Sequence, residues 1–437
     1  MQKHVHEIRD PVHIFIRLDT EERIILDSPA LQRLRDIHQL ALTYLVYPGA
    51  THRRFEHSLG VMELATRVFD IITAQANRDD RVRDIIPSKD QLTYWRRVLR
   101  MAALSHDLGH LPFSHAAEKE LMPDDWDHER MTREIICCDQ MKTDAWDQLT
   151  QPLKTEDIVR VALGPKSAAG LEFDEWQTIL SEIITGDTFG VDRMDYLLRD
   201  SLHSGVAYGR FDHYRLIDTL RILPKGGSDD DSEEPTLGLD VGGLQSAEAL
   251  LWARYFMFSQ VYCHPVRRIY DIHLKDFLKN WLSDGLFSTD VQEHLAMTDN
   301  NVILGIKEAA IRPKHQAYTH AKRIVEREHF RLLYEKNPTD QDENLNATEQ
   351  VYEAVCEQFG PEKVRRDEYS QKGSSQVFPV KSKDGRIEQS IGLSDTLAKV
   401  PIVGVDYVFV DKSIQEDAQK WLKEKRDTVI KTQKEID

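Results

Sequence analysis

Three short segments hold the side chains best suited to chemistry. They are Arg54-Phe55-Glu56-His57-Ser58-Leu59-Gly60, Ser105-His106-Asp107-Leu108-Gly109-His110 and Gly190-Val191-Asp192-Arg193-Met194-Asp195-Tyr196. Each sits in a stretch of helical periodicity, so together they offer a histidine, a His-Asp doublet and an aspartate from three helices. Neutral imidazoles with carboxylates suit a divalent ion of intermediate hardness, such as Fe, Mn, Co, Ni or Zn. Neighbours on a helix point about 100° apart. One ion therefore takes both members of the doublet only from the groove between them, near a helix end, and Gly109 fits such an end. The alternative for each residue alone is a core or capping role. It would require a separate partner for every one, because an unpaired polar group in an apolar helix costs ~1–3 kcal/mol.

The elements that must position these residues are mostly helical. Leu31, Leu34, Ile37, Leu40 and Ala41 recur at helical spacing and predict a helix from Ser28, with Pro29 at its first turn. A long helix is expected from about Phe55, with Leu59, Met62, Leu64, Ala65, Val68, Phe69 and Ile72 inward. Another runs from Trp95 to Leu108 and is ended by Gly109 and Pro112. Further helices are expected near 127–138, 154–163, 175–185, 192–202, 212–222 and 246–280. Strand character is sparse: a loose strand or hairpin within 1–25, and Leu237 to Val241. The stretch 225–235 is acidic and of low complexity, and reads as a solvated loop. Beyond it lie helices near 315–336, 351–359 and 412–433, a hairpin-like pair flanking Lys383-Asp384-Gly385, and a strand from Val403 to Val410.

Composition narrows the function class. The chain has 437 residues, enough for about two or three domains. Lys plus Arg number 57 and Asp plus Glu 74, a balance of −17. A polyanion is repelled on average by such a chain, so nucleic acid is not expected as a partner, although a local basic pocket for a phosphate is compatible. No apolar run approaches the ~18–20 residues of a membrane span, and the first residues lack the apolar core of a signal peptide. Cys137, Cys138, Cys263 and Cys356 form no metal-binding or disulfide spacing. A cytoplasmic protein is expected.

Taken in order, longer runs carry a resemblance over residues 1–290. They are Asp27-Ser28-Pro29 with Gln32-Arg33-Leu34-Arg35, Gln39-Leu40, Tyr47 to Gly60, His106 to His115, Trp126-Asp127-His128-Glu129, and Asp192 to Asp200. The pattern resembles the HD-domain metal phosphohydrolases, and more narrowly the deoxynucleoside triphosphate triphosphohydrolases, without the SAM domain that some members carry. The resemblance implies a mainly α fold: an HD-domain helical core with small β elements over 1–295, then a C-terminal α+β region over 296–437 for oligomerisation or regulation. It implies His57, His106, Asp107 and Asp192 as ligands of a divalent metal (Mg, Mn, Fe, Zn, Co or Ni). His110, His115, His128 and Glu129 would face the triphosphate, with His115 protonating the departing 5′ oxygen. Arg54 and Arg193 would offset phosphate charge. Tyr196, Asp200, Gln39 and Leu40 would enclose the deoxyribose, and Tyr270 would approach the base or sugar.

Asp27, Gln32 and Arg35 match positions that bind an activating nucleotide, GTP or a dNTP, in regulated members. The residue-level alternative is that Asp27 caps the helix beginning after it. Aligning Arg267-Arg268-x-Tyr270 leaves Val266 where vertebrate-like members have histidine, so no base preference is implied. The activity implied is metal-dependent hydrolysis of dNTPs to deoxynucleoside and triphosphate by a homotetramer, for dNTP pool control or phage defence. Two alternatives stay open at this point. One is another HD phosphohydrolase, acting on monophosphates, (p)ppGpp or cyclic nucleotides. The other is a non-enzymatic nucleotide-sensing or nucleic-acid-binding scaffold.

Overall fold

The computed structural model describes residues 5–114, 118–150, 153–168, 170–225, 234–371 and 377–431. It is mainly helical with small sheets, as expected. Two compact units interleave along the chain, whereas the sequence reading divides it once, between 295 and 296. The first comprises Met1–Met257, Phe287–Asn301 and Ser374–Val400, and the second Phe258–Leu286, Val302–Gly373 and Pro401–Asp437. No helix among the described residues is long and apolar enough to cross a membrane. All four cysteines are free.

The first unit is built around helix Arg54–Thr73. This helix is buried on almost every side, including His57, Ser58, Leu59, Gly60 and Val61 in sequence. It packs on helices Lys89–Ser105, Glu175–Thr185 and Val191–Ser204. Lys89–Ser105 is capped by Ser88, is solvated over its first turns, and is buried from Val98 to Ser105. Its chemistry therefore lies at its buried end, where His106 is the capping residue. Val191–Ser204 stops at Gly205, whose φ of 74° supplies the left-handed turn that ends a helix. Strands Leu220–Pro224, Pro235–Asp240, Pro379–Lys381 and Ile387–Gln389 form one sheet in that order. The hairpin around Lys383-Asp384-Gly385 is thus present, and its first strand runs parallel to Pro235–Asp240 in the first unit's sheet.

The second unit has an antiparallel sheet ordered Arg331–Glu335, Gly404–Val410, Val364–Ser370. Helices Ala347–Phe359 and Gln415–Lys431 cover it through Val351, Val355, Ala418 and Leu422.

Four expected helices are shorter than their periodicity suggests. The helix from Ser28 ends at Arg33 and a tight turn at 34–36, because the chain becomes extended at Ile37 and His38 pairs with Arg53. The 212–222 stretch is helix His213–Asp218 followed by strand Leu220–Pro224, which gains the ladder with Pro235–Asp240. The 246–280 stretch is two helices, Leu244–Met257 and Pro265–Trp281, separated by a wider turn at Phe258–Tyr262; Pro265 begins the second, where its missing N–H is harmless. The 315–336 stretch is helix Tyr318–Val325 and strand Arg331–Glu335, with Arg327 between them at φ 56°. Of the expected acidic loop, residues 226–233 lie outside the described residues; Lys225 and Glu234 at its ends are ion-paired at 2.8 Å.

The expected N-terminal hairpin pairs Val5–Asp10 with Ile14–Asp19. Its turn is built on Asp10, whose Oδ1 accepts from the N–H groups of Val12 and His13 at 2.9 and 2.8 Å. The same carboxylate takes Arg199 Nη1 at 2.8 Å. Arg199 is fully buried and also donates to Asp195, from Nε at 2.8 Å and Nη2 at 2.9 Å. Removing one partner of such a buried group leaves uncompensated charge and costs about 3–5 kcal/mol. Arg199→Leu is accordingly expected to lower the unfolding free energy by about 3–5 kcal/mol in urea titration; a change below about 1 kcal/mol would contradict this account of how the hairpin is held.

Candidate metal centre and phosphate-facing site

The three segments converge. His57 Nε2 lies 3.0 Å from Asp192 Oδ1 and 3.6 Å from Asp107 Oδ2. His106 Nε2 lies 3.3 Å from Asp107 Oδ1 and 3.6 Å from Asp192 Oδ1. Two bonds of about 2.1 Å place their donor atoms about 3.0 Å apart at a right angle and about 3.4 Å apart at a tetrahedral one. Donor atoms of His57, His106 and Asp107 all lie within 4.8 Å of one another, a spacing that suits one divalent ion, and Asp192 Oδ1 adjoins both imidazoles. A second observation agrees: His106 Nε2 is buried without a hydrogen-bond partner among the described residues, while His106 Nδ1 faces Ala103 C=O at 2.8 Å. Asp192 is the most open of the four, with 38% of its side chain exposed, so solvent or substrate approaches on its side.

The charges around the centre act on its proton affinity. Burial alone would depress the His57 imidazolium, but hydrogen bonds to Asp192 and Asp195 outweigh it and raise its pKa to about 10. His106 is raised in the same way, against burial, by Asp107 and Asp192. Asp107 and Asp192 are lowered, although burial opposes this: His106, Arg54 and His110 act on the first, and His106 and His57 on the second. Protons thus accumulate on the imidazoles that a metal would take, and binding must release them.

His57 has a further partner that sequence reasoning did not assign. Asp195 Oδ2 faces His57 Nδ1 at 2.8 Å, and Asp195 Oδ1 faces His13 Nε2 at 2.7 Å. A carboxylate on the far nitrogen fixes ring orientation and tautomer in metal-ligating histidines. The spacing was legible, since Asp195 follows Asp192 by three positions on one helical face. Arg199, one turn beyond Asp195 on the same helix, is the buried partner of Asp195 and Asp10.

A second group adjoins the first. His110 Nε2 lies 3.3 Å from Asp107 Oδ1, and the His110 ring stacks on His128 at 4.2 Å. His128 Nδ1 faces Glu118 Oε1 at 2.5 Å, and Glu118 also accepts from the His128 N–H at 2.6 Å. Glu118, like Asp195, was not assigned from the sequence; no periodic or motif signal marked it. Glu129, expected beside the phosphate, accepts from Ser167 Oγ at 2.7 Å. His115 lies outside the described residues. The stacked rings differ in proton affinity. Burial, Arg54 and His128 hold His110 well below the usual range, whereas Glu118 raises His128 against burial. Their approach depends on Gly109: a Cβ there would stand 2.1 Å from His128 C=O.

Arg54 donates to Asp107 and, from Nε at 2.7 Å, to Ser114 Oγ. Arg193 Nε and Nη1 are buried without hydrogen-bond partners among the described residues. Asp200 Oδ1 faces His52 Nε2 at 2.7 Å, and His52 stacks on His203 at 4.4 Å. The Gln39 N–H donates to His52 C=O at 3.1 Å, so Gln39 and Asp200 are anchored on one residue. Tyr196 is half-buried, one turn beyond Asp192. Tyr270 belongs to the second unit, where it is fully buried with its ring 4.7 Å from His329.

Asp27 does not cap the helix after it. Ser28 occupies that position without a side-chain hydrogen bond, and Asp27 ends the preceding helix, paired with Arg23 at 2.6 Å. Gln32 donates to Leu26 C=O at 2.8 Å and accepts from Arg35 Nε at 2.8 Å; the Arg35 guanidinium lies over Phe55 at 3.5 Å.

Comparison with known proteins agrees with this geometry. A family model described as the HD domain matches residues 54–140, and one described as the HD associated region matches 211–362. An uncharacterized protein of Methanocaldococcus jannaschii is 38% identical over 268 residues, covering 61% of this chain and 48% of its own. Deoxynucleoside triphosphate triphosphohydrolase SAMHD1 of Homo sapiens is 30% identical over 371 residues, covering 76% of this chain and 56% of its own. The chain spans about half the length of the curated relatives it matches. Among solved structures, a hypothetical protein from Aquifex aeolicus is similar at a TM-score of 0.75 and 34% identity, covering 96% of this chain and 100% of its own. The matched HD segment is the one that supplies His57, His106 and Asp107, and the chain thus carries an HD domain with an HD-associated region following.

Proposed function

We propose that the protein is a metal-dependent hydrolase of deoxynucleoside triphosphates, releasing deoxynucleoside and inorganic triphosphate. The observation that carries the hydrolytic part is the convergence of His57, His106, Asp107 and Asp192, whose histidine and carboxylate donor atoms pair at 3.0–3.6 Å, with His106 Nε2 buried and without a hydrogen-bond partner among the described residues. When bound there, a divalent ion polarises a phosphate and lowers the pKa of an attacking water. The chain's own residues do the rest. Arg54, oriented by Asp107 and Ser114, and Arg193, whose Nε and Nη1 are buried without hydrogen-bond partners among the described residues, offset charge on phosphate oxygens. His128 keeps a proton through its contact with Glu118, which suits it to donate toward a leaving oxygen, while the neutral His110 beside it accepts or orients.

The deoxyribose part rests on the relatives named as deoxynucleoside triphosphate triphosphohydrolases and on the linkage of Asp200, His52 and Gln39. In this reading the Tyr196 ring packs on the sugar, Asp200 takes the 3′-hydroxyl, and Gln39 and Leu40 close the pocket. Asp27, Gln32 and Arg35 take an activating nucleotide, and the working form is a homotetramer.

Incubating the purified protein with each dNTP and NTP, singly and in pairs, with Mg²⁺ or Mn²⁺, is expected to yield inorganic triphosphate from dNTPs. Stepwise release of orthophosphate would replace this reading with another HD phosphohydrolase. His106→Ala combined with Asp107→Ala should lower metal affinity by more than about a hundredfold and abolish turnover; retained metal by elemental analysis would remove the site. Glu118→Gln tests the proton assignment. Because Glu118 raises the His128 pKa, the proton needed for donation is present below that pKa and lost as pH rises through it. The substitution should move the alkaline limb of the kcat profile to lower pH, and an unmoved limb would exclude His128 as the donor.

A further inference from the structure

The loop from Leu108 to Ser114 leads away from the His-Asp doublet, and its end has an unusual backbone. Phe113 and Ser114 have φ of 60° and 56°, two consecutive non-glycine residues in the left-handed region. Such geometry persists only where the surroundings over-determine it. Asp299, fully buried, accepts the Phe113 N–H on Oδ1 at 2.7 Å. Its Oδ2 accepts the His38 N–H at 2.7 Å and faces His38 Nδ1 at 2.5 Å. The His38 ring lies parallel to that of Phe113, 5.9 Å away and within 6°. His38 C=O accepts from Ser114 Oγ at 3.1 Å, and Ser114 Oγ accepts from Arg54 Nε at 2.7 Å. Further back in the loop, Arg33 Nη1 donates to His110 C=O at 3.0 Å, and Arg33 Nε to Met297 C=O at 3.1 Å.

We propose that Asp299 and Arg33 are positioning residues for catalysis: together they clasp the backbone of the Leu108–Ser114 loop and set His110 and Arg54 against the metal-binding cluster. Neither touches the cluster. Asp299 acts through two backbone N–H groups, one in the loop and one beside Gln39, and Arg33 acts through the carbonyl of His110. This rests on the hydrolytic reading above.

The test compares Asp299→Asn, Asp299→Ala, Arg33→Lys and Arg33→Ala with the parent. Asparagine keeps one acceptor but turns an N–H donor toward a second donor. Lysine can still reach a carbonyl. Misplacement of a catalytic group by about 1 Å costs up to about a hundredfold. The Asp299 variants and Arg33→Ala should therefore lose about tenfold to a hundredfold in kcat. KM and metal affinity should stay within about threefold, and Arg33→Lys should recover most of the loss. Amide hydrogen exchange should rise in peptides covering 108–114, but not in helices Arg54–Thr73 or Val191–Ser204. If Asp299→Ala does not fold, the asparagine and lysine variants carry the same measurement.

Parental kcat with unchanged exchange would overturn the proposal. So would a rise in KM alone, or protection lost equally across the helices. If the parent hydrolyses no dNTP, the hydrolytic reading falls by itself, and exchange at 108–114 decides the clasp: selective loss upholds it and unchanged protection overturns it.

Discussion

A fully buried carboxylate, Asp195, has no solvent to stabilise its charge, and moving such a group from water costs several kcal/mol before any partner is counted. It is compensated by Arg199 through two nitrogens, by His13 and by His57. That compensation dictates the geometry around it. The His57 ring is held by Nδ1, so Nε2 points at Asp107 and Asp192. The two helices must also approach closely. Gly60 allows it, since a Cβ there would lie 1.9 Å from Asp195 Oδ1. Asp10 extends the same network into the N-terminal hairpin, so residues far apart in sequence share one electrostatic anchor.

The same economy of charge separates the two stacked histidines. His110 and His128 lie ring on ring, yet one is held neutral and the other is inclined to keep its proton. Burial acts on both in the same direction. Arg54 stands near the first and Glu118 against the second, and these neighbours decide the difference. A proton-holding imidazole and a neutral one thus stand side by side, next to a cluster suited to a divalent ion.

Much of the local structure was legible because burial periodicity and helix ends are properties of short stretches. Helix Arg54–Thr73, helix Val191–Ser204 and the hairpin around Lys383-Asp384-Gly385 follow from spacing and turn residues alone. Three of the four misjudged stretches share one cause. Leu220–Pro224 and Arg331–Glu335 become strands because partners distant in sequence offer a hydrogen-bond ladder. The segment after Arg33 leaves the helix because His38 pairs with Arg53. Short apolar runs satisfy helical and strand patterns alike, and only a partner decides between them.

By itself the sequence determined the residue types of the centre, their order, and the helices that present them, because ligand chemistry and helical periodicity are local. It also marked the acidic balance and the absence of a cysteine framework. Only the tertiary structure decided that His128 takes Glu118 and not Glu129, that Asp195 rather than solvent holds His57, and that Arg199 turns inward to Asp10. Those pairings depend on the penalty for leaving a buried charge unmatched. That penalty belongs to the packed interior and has no counterpart in the spacing of residues along a chain.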